Sequence, residues 1–214
     1  MTLAADFQGP ARGADRAVLL APGAGADRSA PALVVVADAL EAVGIPSLRF
    51  DFPYRAAGRK APDRPPVLEA TTRDAAAELG RRTGLEPRQL VLGGRSMGGR
   101  IASMAVAADD ALPALGLLLL GYPLHAMGKP ERRRDDHFAS IHCPVLFVSG
   151  TRDSLAPKPA LTRSAKKVRG PVTLHWLDTA DHSFRPLKRS GRTIDDVLAD
   201  VAETSVTWVE GLGG

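Results

Sequence analysis

Short apolar runs alternate along this chain with longer segments in which apolar residues share one face of a helix. Residues 31–43 show the helical pattern clearly, because Leu33, Val36, Ala37 and Leu40 recur at spacings of three and four. The apolar runs predict strands at 16–21, 45–50, 88–93, 114–120, 144–149 and 172–177. The remaining patterned segments predict helices at 31–43, 67–83, 97–108, 157–168 and 194–209.

Several of the predicted strands are continuous apolar runs, most clearly residues 114–120. Strands of that kind are buried on both faces, which is typical of a mostly parallel sheet covered by helices. Residues 1–15 predict an irregular lead-in with room for one edge strand, and the proline-rich residues 55–66 predict no regular structure. Residues 1–214 are therefore expected to form a single three-layer α/β domain, with ligands bound where the strands end.

Composition adds few restrictions. The chain has 214 residues, of which 44% are hydrophobic and 24% charged, and its net charge of +4 does not indicate a nucleic-acid partner. One cysteine, Cys143, allows no internal disulfide and suits a cytoplasmic protein. We expect no signal peptide, and no apolar run is long enough to span a bilayer, so we expect no membrane association. The oligomeric state is left open.

A candidate nucleophile lies within residues 94–98, which have the sequence Gly-Arg-Ser-Met-Gly. They stand between a predicted strand and a predicted helix. They fit the G-x-S-x-G pattern of a nucleophile elbow, in which a sharp turn exposes the serine hydroxyl. The glycines on either side of Ser96 keep Cβ atoms out of the crowded bend. The alternative is a serine that merely caps the following helix.

Two later loops supply partners for a nucleophilic Ser96. Asp153 follows the strand at 144–149, and His182 follows the strand at 172–177. A serine hydroxyl needs an imidazole to take its proton, and the imidazole needs a carboxylate to orient it. Asp153 could instead be a turn residue, and Asp178 and Asp181 are rival acids in the loop of His182. The other histidines are placed less suitably, inside a strand or before the strand at 144–149: His125, His137, His142 and His175.

An oxyanion hole also has candidates. The loop after the strand at 16–21 is Pro-Gly-Ala-Gly and can present the backbone N–H of Ala24, while Met97 offers the N–H that follows the nucleophile. A phosphate-binding loop is the alternative, although the loop lacks the Lys-Ser/Thr of a P-loop. The chemistry needs no cofactor and no metal, and we expect neither.

Substrate contacts are less constrained. Tyr54 is a candidate for lining the pocket, and Arg95 could meet an anionic substrate or pair with an acidic residue near the elbow. No insertion is long enough for a large cap domain, so residues 121–140 are the only candidate lid. The mixed charges at 131–136 indicate a solvated surface.

These pieces resemble the α/β-hydrolase superfamily and, more narrowly, the small dienelactone-hydrolase-like group. Within that group the chain is similar to predicted hydrolases related to a testis-expressed protein and to a subunit of the nonspecific-lethal chromatin complex. One departure is Pro22, which stands where many members carry a histidine before the oxyanion loop. The stretches that carry the resemblance are 20–25, 49–54, 93–100, 148–153 and 181–184.

The sequence therefore predicts a serine hydrolase of small esters or thioesters, with Ser96 as nucleophile, His182 as base and Asp153 as its partner. The resemblance to a chromatin-complex subunit motivates a different hypothesis, a binding or scaffolding module that keeps the fold without the chemistry. Transfer of the acyl group to an acceptor other than water is a further possibility that the sequence leaves open.

Overall fold

The computed structural model describes residues 3–213 and contains a seven-stranded sheet. Its strands are β1 (Ala5–Gln8), β2 (Ala17–Ala21), β3 (Ser47–Phe50), β4 (Leu90–Arg95), β5 (Gly116–Leu120), β6 (Val145–Gly150) and β7 (Val172–Leu177). They lie in the order β1-β3-β2-β4-β5-β6-β7, and every neighbouring pair is parallel except β1 with β3. The mostly parallel sheet is confirmed, and β1 is the expected edge strand.

Helices cover both faces of the sheet. They are α1 (Pro31–Ala42), α2 (Pro53–Ala56), α3 (Pro65–Thr83), α4 (Met97–Ala107), α5 (Lys158–Ala165) and α6 (Ile194–Glu210). Apolar side chains of α1 and α6 form one core with the sheet, and those of α3, α4 and α5 form the other. Both cores are continuous because β2, β4, β5 and β6 bury side chains on each face. The predicted three-layer arrangement is confirmed.

Prolines account for the main difference from the predicted elements. The segment 55–66 was expected to be irregular, yet α2 extends into it and α3 begins at Pro65 rather than at residue 67. Proline is well suited to the first turn of a helix, where its missing N–H would have no partner and its φ is already helical. Likewise, Pro87–Gln89 forms a 3₁₀ turn, so β4 begins at Leu90, two residues later than expected.

The segment between β5 and β6 is tied down at its C-terminal part. Buried Asp135 accepts hydrogen bonds from Ser164 and Arg133 and lies 3.2 Å from the ammonium of Lys167. Phe138 is fully buried in the core beside α4. Met127, by contrast, is 83% exposed, so the middle of the segment projects from the surface.

No helix within residues 3–213 combines the length and the apolar character needed to cross a bilayer.

Candidate active site

Ser96 lies on a strained turn between β4 and α4. Its φ of 50° and ψ of −111° fall in a region that L-residues seldom adopt, and such strain is typical of functional turns. A Cβ at Gly94 or at Gly98 would come within 2.0 Å or 2.2 Å of the Ala21 carbonyl oxygen. Only glycine therefore allows β2 to pass so close to the elbow. Ser96 stands at the N-cap position of α4, but its hydroxyl makes no capping hydrogen bond.

The hydroxyl of Ser96 instead contacts a histidine. Its Oγ lies 3.0 Å from Nε2 of His182, and Nδ1 of that ring lies 2.8 Å from Oδ2 of Asp153. A proton on Nδ1 satisfies the carboxylate and leaves Nε2 to accept a hydrogen bond from the serine. The structure thus brings together, in one hydrogen-bonded chain, three residues from loops that follow different strands.

Asp153 is well suited to hold the imidazole. It is 2% exposed, and its second oxygen, Oδ1, accepts a hydrogen bond of 2.8 Å from the backbone N–H of Leu155. The rival acids have other partners: Asp181 accepts from the N–H groups of Ser183 and Arg185 and shapes the loop. Asp178 accepts a long hydrogen bond of 3.4 Å from Thr151. His175 pairs with Asp200 between β7 and α6, away from Ser96.

Arg95 does not take the place that the sequence suggested. Its buried guanidinium donates to the carbonyl oxygens of Leu120, Gly121 and His182, and its Cζ lies 4.3 Å from the ring centroid of Phe184. It neither lines the cavity beside Ser96 nor forms an ion pair within residues 3–213. Burial lowers the pKa of Arg95 to about 10, which keeps the group charged at neutral pH. Arg95 therefore fixes the histidine loop rather than a substrate.

The two candidate oxyanion donors flank the serine. Ala24 is exposed and lines the cavity together with Met97, the first residue of α4, whose N–H has no acceptor within its own helix. Tyr54 corrects a second expectation, since it is fully buried and does not line the cavity. Its hydroxyl accepts a 3.0 Å hydrogen bond from the N–H of Gly25. Tyr54 therefore supports the donor loop from behind.

The cavity beside Ser96 has a volume of about 360 Å³ and contains charged residues to which the sequence interpretation gave no role. Arg100 comes from α4 and Asp63 from the segment before α3. Residues 121–140, the candidate lid, supply five lining residues. Arg100 follows Ser96 by four positions, so helical spacing could have placed it; no motif signals the others. The residues of the lid segment are Pro123, His125, Ala126, Met127 and Arg134.

Known proteins resemble this chain over most of its length. Residues 14–210 match the model of a family described as "Alpha/beta hydrolase domain". The chain belongs to this family. Uncharacterized proteins from two strains of Mycobacterium tuberculosis are 29% identical over 209 residues, which cover 91% of this chain and 72% of theirs.

Solved structures share the fold of this α/β hydrolase at low sequence identity. Est1E from Butyrivibrio proteoclasticus, solved with ferulic acid, is 17% identical with a TM-score of 0.73 over 97% of this chain and 96% of its own. A dienelactone hydrolase from Anabaena variabilis is 18% identical with a TM-score of 0.70 over 98% and 92%. A serine hydrolase without lid from Xanthomonas campestris is 19% identical with a TM-score of 0.67 over 96% and 88%.

These comparisons confirm the predicted α/β-hydrolase superfamily, and the chain shares its fold with the dienelactone hydrolase. No cap domain is inserted within the part of the chain that the structure describes. The narrower likeness to proteins related to a testis-expressed protein and a chromatin-complex subunit stays a prediction.

Proposed function

We propose that this α/β hydrolase is a serine esterase or thioesterase that cleaves small carboxylic esters through an acyl-enzyme at Ser96. The observation that carries the proposal is the hydrogen-bonded chain from Ser96 through His182 to Asp153, built on a strained turn at the edge of a cavity. Each contact has the geometry that a proton transfer requires.

Acylation begins when Ser96 Oγ attacks the substrate carbonyl carbon and its proton passes to Nε2 of His182. The negative charge that develops on the carbonyl oxygen is stabilised by the N–H groups of Ala24 and Met97. The tetrahedral intermediate then collapses, and the carbon–oxygen or carbon–sulfur bond to the leaving group breaks. His182 returns its proton to that leaving group, which departs as an alcohol or thiol.

Deacylation repeats these steps with water. His182 takes a proton from the water as its oxygen attacks the acyl carbon, and it then gives that proton to Ser96 Oγ as the acid product leaves. Asp153 remains ionised throughout and stabilises the imidazolium that forms at each stage. Another hydroxyl or amine acceptor in place of water would make the same chain an acyltransferase.

The dimensions of the cavity support a small substrate. A volume of about 360 Å³ lies at the low end of the range for small-molecule sites. Its wall combines apolar residues such as Leu68 and Leu155 with a few polar groups. A short acyl chain fits this description better than a large lipid or a folded partner does.

Labelling with a fluorophosphonate probe tests the proposal directly, because such probes react with an activated serine. We expect one adduct, located at Ser96 by mass spectrometry, in the wild-type protein and in the control variant Ser103→Ala. Ser96→Ala should give no adduct. Turnover of p-nitrophenyl acetate or butyrate should follow the same order.

Absence of both labelling and turnover in the folded wild-type protein would contradict the proposal. A stable complex recovered in pull-downs under those conditions would favour the other hypothesis, a binding or scaffolding module that retains the hydrolase fold.

A further inference from the structure

The loop after β2 consists of two turns in series. In the first turn, the N–H of Ala26 donates to the carbonyl oxygen of Gly23 at 3.1 Å, and Gly25 has a φ of 75°. A positive φ at that position alone is typical of a type II turn. The second turn, at 27–30, is also closed by a hydrogen bond of 3.1 Å. Neither bond uses the N–H of Ala24, which has no acceptor in the part of the chain that the structure describes.

Packing contributes little to the position of this loop at Ala24. Ala24 and Gly25 are exposed, and together they carry a single methyl group. Segments with few buried apolar contacts are the ones that move most readily. An N–H that has to meet a developing oxyanion therefore needs polar restraints from elsewhere in the chain.

Two side chains that follow β3 supply such restraints through the loop backbone. The Tyr54 hydroxyl accepts the N–H of Gly25, as described above. Asp51 makes the corresponding contact at the second turn, where its Oδ1 accepts the N–H of Arg28 at 2.7 Å. The two bonded N–H groups belong to the first and the fourth residue after Ala24. The segment after β3 therefore holds the loop backbone at two points.

Arg28 has partners at each of its polar groups. Its guanidinium donates to Oδ2 of Asp51 and, at 3.0 Å, to the half-exposed Asp6 of β1, while its carbonyl oxygen accepts a 2.8 Å hydrogen bond from Arg49. Asp51 is 7% exposed, and Arg28 engages both of its carboxylate oxygens. Charge-assisted hydrogen bonds of this kind are strong and well directed. They anchor the loop to the end of β3.

The direction of the Ala24 N–H affects the rate more than the binding of the ester. Oxyanion donors stabilise the charge that develops in the transition state, and a displacement of about 1 Å can cost about 10²-fold in rate. Binding of the ester depends instead on the wall of the cavity, which does not include Asp51. A residue that directs this donor should therefore act on kcat and leave KM nearly unchanged.

We propose that Asp51 is a positioning residue of the oxyanion hole, which sets the direction of the Ala24 N–H by holding the backbone and the guanidinium of Arg28. This inference rests on the proposed function. It adds a residue that lines neither the cavity nor the hydrogen-bonded chain from Ser96 to Asp153. A substitution remote from the reacting atoms should thus change the rate of the chemical steps.

Three variants assayed with p-nitrophenyl butyrate test this role. Asp51→Ala removes both bonds to Arg28 and should lower kcat about tenfold, with KM within a factor of about two. Asp51→Asn keeps an oxygen for the Arg28 N–H and loses the ion pair, so kcat should fall only about threefold. Asp6→Asn is the matched control, because it removes the other partner of the same guanidinium without touching an N–H of the loop. It should leave kcat unchanged.

Two inhibitors separate positioning from a general loss of stability. Butylboronic acid forms a tetrahedral adduct with an activated serine and so places an oxygen in the oxyanion hole, whereas butyrate resembles the product. In Asp51→Ala the inhibition constant of the boronic acid should rise about tenfold, in parallel with the loss of kcat, and that of butyrate should not change. Partial unfolding would weaken the binding of both inhibitors equally.

Urea unfolding checks that each variant is folded under the assay conditions. If Asp51→Ala does not fold, unchanged kcat and unchanged boronic acid binding in Asp51→Asn would overturn the proposal. If it folds, wild-type kcat, a loss that appears only in KM, or an equal loss of kcat in Asp6→Asn would overturn it and leave the esterase standing. A wild-type protein without turnover would refute the esterase, and the positioning role with it.

Discussion

Within residues 3–213, two serines on the segment of α4 contact a histidine, and the surroundings of only one of these pairs suit catalysis. Ser96 contacts His182 at 3.0 Å, and Ser103, seven residues later, contacts His137 at 2.8 Å. Judged by the oxygen–nitrogen distance alone, the second pair is the better candidate. The difference between the pairs lies in what surrounds each contact.

The first difference between the two pairs is the backbone at the serine. Ser96 sits on a turn with positive φ at the edge of the cavity, whereas Ser103 lies inside α4, is fully buried and donates to the Arg100 carbonyl oxygen at 2.8 Å. A buried hydroxyl of that kind is engaged with its own helix, as serine often is. It has no route to a substrate carbonyl.

The histidines differ in their second nitrogen. Nδ1 of His182 faces buried Asp153, while no carboxylate bonds to His137 among residues 3–213. Burial, together with nearby Arg100, lowers the pKa of His137 to about 4. A ring so hard to protonate is a poor proton acceptor near neutral pH. The orienting acid and an accessible oxygen, rather than the serine–histidine contact, distinguish the proposed active pair.

The largest expected effect on kcat comes from replacing each of the two serines by alanine in separate variants. Ser96→Ala should lower kcat for p-nitrophenyl butyrate by about 10⁶-fold, as removal of a triad nucleophile does elsewhere. Ser103→Ala should leave kcat within a factor of about three, since its hydroxyl only packs and hydrogen bonds. Steady-state rates on both purified variants measure this. Comparable losses in the two variants would erase the contrast between the pairs.

The acid behind His182 comes next. Asp153→Asn should lower kcat by about 10⁴-fold, because an amide no longer stabilises the imidazolium and can favour the wrong tautomer. Asp181→Asn is the matched control, since that carboxylate shapes the same loop without contacting the ring. Rates of both variants should be measured at one pH with urea unfolding as a check on folding. An Asp153→Asn enzyme as fast as the control would remove Asp153 from the mechanism.

The Ser103–His137 pair should affect how the free energy of unfolding depends on pH. Because the folded pKa of His137 is about 4 and the ordinary value is 6.5, the unfolded chain binds more protons between these values. Stability is then fully present above pH 6.5 and is lost as pH falls toward 4, by up to about 3 kcal/mol. Urea unfolding near neutrality and at about pH 5 measures the loss, which His137→Gln should reduce. His175→Gln serves as the control, because His175 pairs with Asp200 of α6 and not with Ser103. An equal loss of stability in acid for the wild-type protein and both variants would refute the role given to His137.

The smallest expected effect concerns the loop that presents Ala24, the candidate oxyanion donor. This loop lies beside Ser96. Tyr54→Phe removes the acceptor of the Gly25 N–H and loosens the loop that presents Ala24. We expect kcat to fall about tenfold with little change in KM, since the donors act chiefly on the transition state. Ester kinetics with two acyl lengths would measure this. An increase in KM alone would instead place Tyr54 among the substrate contacts.

Much of the fold was open to prediction because it depends on local patterns. The continuous apolar runs of β5 and β6 indicated a parallel sheet, and the glycines at 94 and 98 indicated a turn too tight for side chains. The placement of Ser96, Asp153 and His182 after β4, β6 and β7 was also visible, since parallel strands end at one edge of the sheet.

The misplaced residues are those whose roles depend on packing between distant segments. Tyr54 and Arg95 are near the serine in space or sequence, but their side chains turn to backbone groups behind the site. Nothing in their neighbours along the chain specifies that direction. Arg134 was misplaced in the opposite direction. The mixed charges at 131–136 indicated a solvated surface, but Arg134 lines the cavity beside Ser96.

Arg95 also ties two distant parts of the chain to each other. It precedes Ser96 directly, and its guanidinium holds the carbonyl oxygen of His182, 87 positions further on. One guanidinium therefore supports both ends of the Ser96–His182 hydrogen bond, because it extends from the residue before Ser96 to the loop that carries His182.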